Sequence, residues 1–290
     1  MNTVTFPGLG LTFHLNRVAF SIGDFSVYWY GVIIAAGFFL AACFGLTQGK
    51  KFGITSDDFL DTLLLAAPGG IIGARLYYII FYSELYRKPD GSLDLLACLD
   101  IHKGGLAIYG GIIAGTIIAF LVARHKKISF LALADLCAFC LLIGQIAGRW
   151  GNFVNVEAYG GPTTLPWRMG IKTVVDGTVQ YMEVHPTFLY ESVWNLVGFL
   201  LLLWVVKKNL RMFDGMIFLL YVTWYGFGRG LIEGLRTDSL YFFSTGIRTS
   251  QMLGFVSCAV ALVLLVWKLR THPNREELYV NQKAKQREEQ

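Results

Sequence analysis

Apolar residues are gathered into long runs along this chain of 290 residues, rather than spread in short alternating patterns. A bilayer core about 30 Å thick is crossed by roughly 20 apolar residues in a helix. Seven runs approach that length, at 27–47, 59–82, 106–122, 130–147, 187–206, 213–227 and 249–267. The pattern therefore predicts an all-α integral membrane protein with seven transmembrane helices and its two termini on opposite sides.

Lysine and arginine set the predicted orientation, because the short cytoplasmic loops of membrane proteins are enriched in them. One side of the predicted bundle carries Lys50, Lys51, Arg124, Lys126, Lys127, Lys207, Lys208, Arg211 and the basic residues of the tail from Lys268 through Arg287. We therefore expect a cytoplasmic C-terminus and an N-terminus outside. The longer connections at 83–105, 148–186 and 228–248 are then expected to form a small head or lid outside the membrane.

Composition supports this class, since 54% of the residues are hydrophobic and only 16% are charged. The net charge of +5 arises largely from the predicted cytoplasmic side, so it indicates contact with anionic lipid and not with nucleic acid. Residues 1–24 lack the pattern of a cleavable signal peptide and are expected to lead into the first span along the interface. We divide the chain into a membrane domain, 1–270, and a charged cytoplasmic tail, 271–290, predicted to be disordered.

Charged residues at membrane depth are the informative ones, because a central Arg or Asp costs about 2.5–3.5 kcal/mol on insertion scales. In "PGGIIGARLYYIIFY", Pro68 and three glycines interrupt the second predicted span shortly before Arg75. Such an interruption is compatible with a wet cavity or with close helix packing through small residues. A buried Arg75 needs an anionic partner, which could be Glu, Asp or a lipid phosphate.

A second polar stretch, "AGRWGNFVNVEAYGGP", ends the fourth predicted span. Arg149 and Asn152 lie three apart and so share one helix face, whereas Asn155 points partly away. Glu157 begins a turn that continues through Gly160. A capped helix end is the alternative interpretation, but a cap does not need an arginine, two amides and a carboxylate together.

A third stretch, "TWYGFGRGLIEGLRTDS", places four polar residues at spacings of four, four and three, which stacks them on one helical face: Tyr225, Arg229, Glu233 and Arg236. An internal ladder of ion pairs is the alternative, with Glu233 neutralising one arginine. That ladder leaves one positive charge unpaired. A phosphate would neutralise this unpaired positive charge.

Two further residues have a structural and a functional interpretation. His185 precedes Pro186, which suits a first helical turn, so His185 is either a capping or core residue or a base. Tyr30 belongs to an aromatic cluster typical of a membrane interface, but Gly31 after it permits close approach of a ligand. No HExxH, Cys/His metal spacing, GxSxG or P-loop is found in the sequence, so we expect no metal and no cofactor.

The head group of an anionic lipid would find a binding site among these arginines, amides, tyrosines and glycines at the outer boundary of the membrane. An enzyme with these residues could stabilise a phosphate as it leaves a carbon atom. An anionic-lipid transporter or flippase would use many of the same residues, but predicts broken helices in both halves of the chain. An intramembrane protease needs a nucleophile with a base or a pair of aspartates, whereas only Asp135 lies at membrane depth.

These stretches, together with "YWYG", "GARLYY", "GGLAIYGG" and "HPTFLYES", resemble in order the motifs of the prolipoprotein diacylglyceryl transferases, from about Tyr28 to Gln251. The resemblance implies an enzyme of the bacterial cytoplasmic (inner) membrane with its active site toward the outer face. It implies transfer of the diacylglyceryl group of phosphatidylglycerol to the thiol of the lipobox cysteine in a prolipoprotein, releasing glycerol phosphate. It implies neither a metal nor a cofactor.

The resemblance also implies roles for particular residues. Arg149 and Arg229 match the essential arginines of the family, and the other matches are Tyr30, Asn152, Glu157, Gly160, His185, Tyr190, Glu191, Tyr225, Glu233 and Arg236. We expect the two arginines to hold the phosphate and their field to favour the acceptor thiolate, with Asn155 and Arg75 also contacting phosphatidylglycerol.

One position departs from the family pattern. Tyr109 stands where many members have histidine, and His102 lies seven residues too early to replace it. The acceptor of the thiol proton is therefore left open among Tyr109, His185 and water.

Overall fold

The computed structural model describes residues 2–23, 25–88, 91–100, 104–175, 178–239, 241 and 246–289, with only the backbone for 173–175. His102 lies outside the described residues. The described helices are α1 (Trp29–Gln48), α2 (Ser56–Phe81), α3 (Leu95–Leu99), α4 (Ile108–His125), α5 (Phe130–Asn155), α6 (Thr187–Lys207), α7 (Met216–Glu233), α8 (Thr249–Thr271) and α9 (Tyr279–Glu288).

Six of these helices are long and apolar enough to cross a membrane, namely α1 with its extension to Phe52, α2, α4, α5, α6 and α8. Their outer faces expose large apolar side chains such as Leu64, Ile80 and Val263. The prediction of a mainly helical membrane protein is confirmed. The remaining predicted span, 213–227, corresponds to α7, which carries Arg229 and Glu233 near its end, and its crossing of the membrane stays a prediction.

Strands form a small sheet that the apolar pattern did not predict. They are β1 (Asn2–Phe6), β2 (Leu11–Leu15), β3 (Val18–Ile22), β4 (Phe25–Tyr28), β5 (Met169–Val175) and β6 (Thr178–Val184). Four of them make an antiparallel sheet in the order β2-β1-β5-β6, and β3 and β4 form a hairpin that leads into α1. Of the segment 1–24, expected as an interfacial lead-in, the described residues 2–23 are therefore mostly strand. The signal is an alternation too short to stand out, with Val4 and Phe6 buried.

The sheet is fixed to the bundle where α5 ends and α6 begins, an end that we call the sheet end. A buried apolar cluster joins Phe6 and Ile171 of the sheet to Phe153 and Phe188 of these helices. The rings of Phe153 and Phe188 stack with centroids 4.5 Å apart. The sheet therefore holds the two helix ends that carry most of the predicted site.

The second helix is continuous through its proline and glycines, contrary to the predicted interruption. Its N-terminus is capped by Thr55, whose hydroxyl accepts the N–H of Asp58. An added Cβ at Gly73 would lie 2.2 Å from Cβ of Ala114, and one at Gly110 would lie 2.4 Å from the carbonyl oxygen of Gly73. The glycines thus serve close packing of α2 on α4, which was the alternative interpretation of this stretch.

At the opposite end, which we call the tail end, α9 lies against the turn between α1 and α2. The amide of Tyr279 donates to Asp214 at 3.0 Å, and Nζ of Lys283 donates to the carbonyl of Gly53 at 3.2 Å. Composition led us to expect a disordered tail, whereas the structure gives this segment a docked helix.

Candidate active site

Glu191 lies at the centre of the polar residues at the sheet end, although sequence analysis named it only as a match to a family motif and gave it no role in catalysis or binding. Its two carboxylate oxygens face two arginines from different helices. Oε1 lies 2.8 Å from Nη2 of Arg149 on α5, and Oε2 lies 3.0 Å from Nη1 of Arg229 on α7. Glu191 is 2% exposed. The two predicted arginines are therefore brought together through one shared carboxylate.

Glu233 and Asp238 complete the charge balance of this cluster. Glu233 pairs with Arg229 at 2.6 Å, which agrees with the alternative interpretation of this helix face as a ladder of ion pairs. Arg236 lies beyond the end of α7 and donates twice to Asp238, at 2.9 and 2.8 Å. These hydrogen bonds hold the pKa of Asp238 below its usual value.

The predicted surplus of positive charge is therefore absent among the described residues. Three arginines face three carboxylates, because Glu191 comes from α6, which the spacing along α7 could not reveal. A phosphate entering this cluster would compete with carboxylates already in place. We name Arg149, Arg229, Glu191 and Glu233 the arginine cluster.

The turn that follows α5 is tied to the arginine cluster by amide side chains. Nη1 of Arg149 donates to Oδ1 of Asn152 at 2.9 Å, which confirms the shared face. The amide of Asn152 in turn donates to Glu157 at 2.8 Å, and that of Asn155 does so at 3.4 Å. Val156 ends the helix with φ of 54°, an unfavourable conformation for a β-branched residue. The turn thus holds a strained backbone in place with side-chain hydrogen bonds.

Arg17 supports the same turn, and sequence analysis did not single it out. Its Nη2 donates to the carbonyl oxygen of Asn155 at 2.7 Å. Its own carbonyl accepts the amide of Trp29 at 3.0 Å, at the start of α1. Arg17 therefore links the beginning of α1 to the end of α5, which are the two segments that carry Tyr30 and Asn152.

His185 and Gly160 form a neighbouring layer rather than part of the arginine cluster. Their backbones are joined by a hydrogen bond of 3.0 Å from the amide of Gly160 to the carbonyl of His185. An added Cβ at Gly160 would lie 2.7 Å from Cβ of His185, so only glycine fits there without displacement. Nδ1 of His185 lies 3.3 Å from the hydroxyl of Tyr190, which also accepts Nε1 of Trp167 at 2.8 Å. His185 thus contacts a tyrosine and not the arginines.

Three predicted tyrosines lie on helices near the arginine cluster. Tyr30 packs its ring against Gly151 on α5, where an added Cβ would lie 2.7 Å from the ring. Tyr225 precedes Arg229 by four residues on α7 and stacks on Tyr221 with ring centroids 5.8 Å apart. Tyr109 lies in the first turn of α4, and both Tyr30 and Tyr109 are more than a third exposed.

Arg75 has partners other than the anionic one that we expected. It donates all five of its N–H groups to backbone carbonyls at 2.8 or 2.9 Å, those of Ala97, Cys98, Asp100, Gly104 and Gly105. It also lies 5.1 Å from the ring centre of Tyr86. Arg75 therefore organises the connection between α2 and α4, and its predicted contact with phosphatidylglycerol gains no support from this geometry.

Apolar helices define the class of this protein as a multi-pass membrane protein. The chain belongs to the prolipoprotein diacylglyceryl transferase family, whose sequence model matches residues 17–267. It is 41% identical to the phosphatidylglycerol–prolipoprotein diacylglyceryl transferase of Bacillus cereus strain G9842, over 90% of this chain and 96% of that one. Proteins of the same name from Bacillus anthracis and Bacillus mycoides strain KBAB4 are 40% identical over the same shares. The chain is therefore a transferase.

Proposed function

We propose that the protein moves the diacylglyceryl group of phosphatidylglycerol to the thiol of the lipobox cysteine of a prolipoprotein. This is the first step in the lipidation of such proteins, and it forms a thioether and releases glycerol phosphate. One geometric observation at the candidate active site supports the proposal. Arg149 and Arg229 converge from two helices on a single carboxylate, at distances where both could bind one phosphate.

The chemistry is a displacement at carbon. The cysteine sulfur, as thiolate, attacks the terminal glyceryl carbon, a C–S bond forms, and the C–O bond to the phosphate breaks with its electron pair moving to the phosphate. The leaving glycerol phosphate therefore gains negative charge in the transition state. Arginines stay protonated in a partly buried site and donate to phosphate bidentately, so they stabilise the group that leaves.

Other site residues are assigned by their contacts with the two arginines. Asn152 and Glu157 orient Arg149 through a chain of hydrogen bonds. Glu233 does the same for Arg229, and Tyr225 lines the site from the preceding turn of α7. Tyr30 closes the site from α1. Asn155, Gly160, His185 and Arg236 shape the adjoining turns, where the glyceryl head group is expected to bind.

The thiol proton needs an acceptor, and the candidate side chains differ in how well they can accept it. A tyrosine hydroxyl is protonated at neutral pH, so Tyr109 can pass a proton on but is a poor final acceptor. His185 has a suitable side chain but hydrogen-bonds to Tyr190. Comparing pH profiles of kcat for Tyr109→Phe and His185→Gln distinguishes them, because replacing the true acceptor removes the limb of the profile that reports its ionisation.

The topology belongs to the same proposal. Lysine and arginine are enriched at the tail end, and the arginine cluster lies at the sheet end. We assign the protein to the bacterial cytoplasmic membrane with seven spans, the N-terminus outside and the C-terminus in the cytoplasm. The sheet β2-β1-β5-β6 is then the small head expected outside the membrane, and the site opens toward the outer face.

The decisive experiment uses the purified full-length protein with isotope-labelled phosphatidylglycerol and a lipobox peptide. We expect the peptide to gain the mass of a diacylglyceryl group on its cysteine. A peptide with serine at that position is the matched control, because it lacks the thiol. Lipid movement between leaflets without mass gain would overturn the proposal in favour of a transporter. The continuity of α2 already removes the one helix break on which that alternative drew.

A further inference from the structure

Two tryptophans on neighbouring helices of the bundle bind each other reciprocally. Trp194 of α6 and Trp224 of α7 stack with ring centroids 4.3 Å apart and planes 16° apart. Nε1 of Trp194 donates to the carbonyl oxygen of Trp224 at 3.0 Å, and Nε1 of Trp224 donates to that of Trp194 at 2.9 Å. Each indole therefore bonds to the backbone of the residue that bonds back to it. We name these two residues the tryptophan pair.

A glycine four residues after each tryptophan makes this arrangement possible, in "WNLVG" on α6 and "WYGFG" on α7. An added Cβ at Gly228 would lie 2.1 Å from Nε1 of Trp194, and one at Gly198 would lie 2.5 Å from Nε1 of Trp224. In a helix, the carbonyl of residue i faces the amide of residue i+4. The indole can reach that carbonyl only where residue i+4 has no side chain. The repeated W-x-x-x-G spacing is the sequence signature of the pair.

The two indole hydrogen bonds fix how far α6 is displaced along α7. Apolar packing alone would permit more than one such offset. Apolar ridges and grooves repeat along a helix, so two helices can pack at more than one offset. A shift of α6 along α7 would leave both indole N–H groups without an acceptor in an apolar environment, which is unfavourable. The tryptophan pair therefore selects one offset of α6 against α7.

The arginine cluster lies in the layer directly next to this pair. Glu191 precedes Trp194 by three residues, which is about one helical turn toward the sheet end. On the antiparallel α7, Arg229 follows Gly228 directly. The ion pair between Glu191 and Arg229, 3.0 Å long, thus joins the same two helices one layer above the tryptophans. Arg149 reaches the same carboxylate from α5, so a change of offset would disturb both arginines.

We propose that Trp194 and Trp224 are positioning residues of the transferase reaction, which fix the offset of α6 against α7 so that Glu191 holds Arg229 and Arg149 in place. The inference rests on the proposed function, because it takes these arginines as the phosphate-binding groups. The tryptophans themselves need not touch substrate, and their effect passes through the ion pair above them.

Replacing each tryptophan by phenylalanine keeps an aromatic ring and removes the N–H donor. We expect Trp194→Phe and Trp224→Phe to lower kcat about tenfold each, because misplacement of a catalytic group by about 1 Å can cost up to about 100-fold. The double variant should lose little more than either single one, since both bonds serve one offset. KM for phosphatidylglycerol and the melting temperature should stay near wild-type values. The control is Trp204→Phe, an exposed tryptophan on the same helix.

A second pair of variants tests the contact itself. Gly228→Ala inserts a methyl group against the indole of Trp194 and should lower kcat in the wild-type background. In the Trp194→Phe background the same substitution should have a smaller effect, because the ring atoms that it meets are absent. Equal effects of Gly228→Ala in both backgrounds would overturn the proposed contact.

The failure of this inference is distinguishable from failure of the proposed function. If Arg229→Ala keeps wild-type activity, the assignment of the arginines is wrong whatever the tryptophan variants do. If Arg229→Ala is inactive and both phenylalanine variants keep wild-type kcat, only the positioning role is overturned. It is also overturned if the variants lose activity only in proportion to the folded protein remaining, because the pair then serves stability alone.

Discussion

Two buried groups of arginines and carboxylates lie at opposite ends of the helix bundle, and they differ in how completely their charges are enclosed. At the sheet end, Arg149 and Arg229 share Glu191. At the tail end Arg211 alone lies between Asp135 at 3.2 Å and Asp214 at 3.0 Å. With Glu233 included, the sheet-end group has two cations and two anions, whereas the tail-end group has one cation and two anions.

In the tail-end group, Arg211 and Asp135 are enclosed, and the side chain of Asp214 is 12% exposed. Asp135 has no exposed surface and accepts the backbone amides of Gly215 and Phe218 at 3.0 and 2.9 Å. The guanidinium of Arg211 lies 4.5 Å from the ring centre of Phe52. Asp135, which sequence analysis considered as a possible protease aspartate, therefore has a companion in Asp214, but both are bound by Arg211 and by backbone amides.

The difference separates a structural ion network from a candidate site. The side chains of Arg149 and Arg229 are 20% and 16% exposed, whereas that of Arg211 is 6% exposed. Enclosed guanidinium atoms have little surface left for a ligand, whereas the arginine cluster keeps accessible guanidinium surface. On the proposed function, a phosphate displaces the shared carboxylate there, so similar ion pairs serve binding at one end and folding at the other.

The largest expected effect is on transfer activity when either sheet-end arginine is removed. Arg149→Ala and Arg229→Ala should each lower kcat/KM by about 1,000-fold, because each deletes a charged donor to the leaving phosphate. Mass gain of the lipobox peptide measures the loss. Arg87→Ala is the control, since Arg87 is half exposed and lies 3.7 Å from Glu84. Activity of either variant within tenfold of the wild type would contradict the assignment.

The corresponding change at the tail end should act on stability and not on chemistry. Arg211→Ala leaves Asp135 buried without its cation, and breaking such a pair costs about 3–5 kcal/mol. We expect a clear decrease in the melting temperature in detergent, with near-normal activity per folded molecule at low temperature. Arg270→Ala, at an exposed position on α8, is the control. An unchanged melting temperature, or lost activity in fully folded protein, would remove the contrast between the two ends.

Sequence reasoning succeeded where neighbours belong to one helix. Apolar runs located the helices, and spacings of three and four placed Arg149 with Asn152, and Arg229 with Glu233, on shared helix faces. Both pairs follow from the geometry of a single helix, because residues three or four apart share a face. This part of the site needed no knowledge of how the helices pack.

The contacts that sequence reasoning missed all cross between elements. Glu191 joins the arginines from a third helix, Arg17 comes from the segment between two strands, and the carbonyl partners of Arg75 come from α3 and the residues after it. Spacing along the chain holds no information on such contacts. A usable signal existed for Glu191, because a carboxylate at membrane depth is as costly as the arginines that drew attention.

An intermediate effect is expected when the shared carboxylate of the arginine cluster loses its charge. Glu191→Gln leaves Arg149 and Arg229 without the group that holds them together, so kcat should decrease about 10- to 100-fold. KM for phosphatidylglycerol should not increase, because the anion that competes with phosphate is gone. Steady-state kinetics at several lipid concentrations measures both constants. Glu84→Gln, at an exposed position, is the control, and a raised KM with unchanged kcat would show that Glu191 binds substrate instead.

The smallest expected effect concerns Arg17, which supports the arginine cluster from outside it. Its hydrogen bond to the carbonyl of Asn155 holds the turn after α5, whose backbone includes Val156 and Ala158 at positive φ. A hydrogen bond to a charged donor contributes about 1.5–3 kcal/mol when buried, and the exposed position of Arg17 reduces that contribution. Arg17→Ala should therefore lower kcat about fivefold, and Arg17→Lys should retain more activity because it keeps a charged donor. Equal activities of the wild type and Arg17→Ala would show that the turn is held without it, so that the asparagines and Glu157 suffice to keep Arg149 in place.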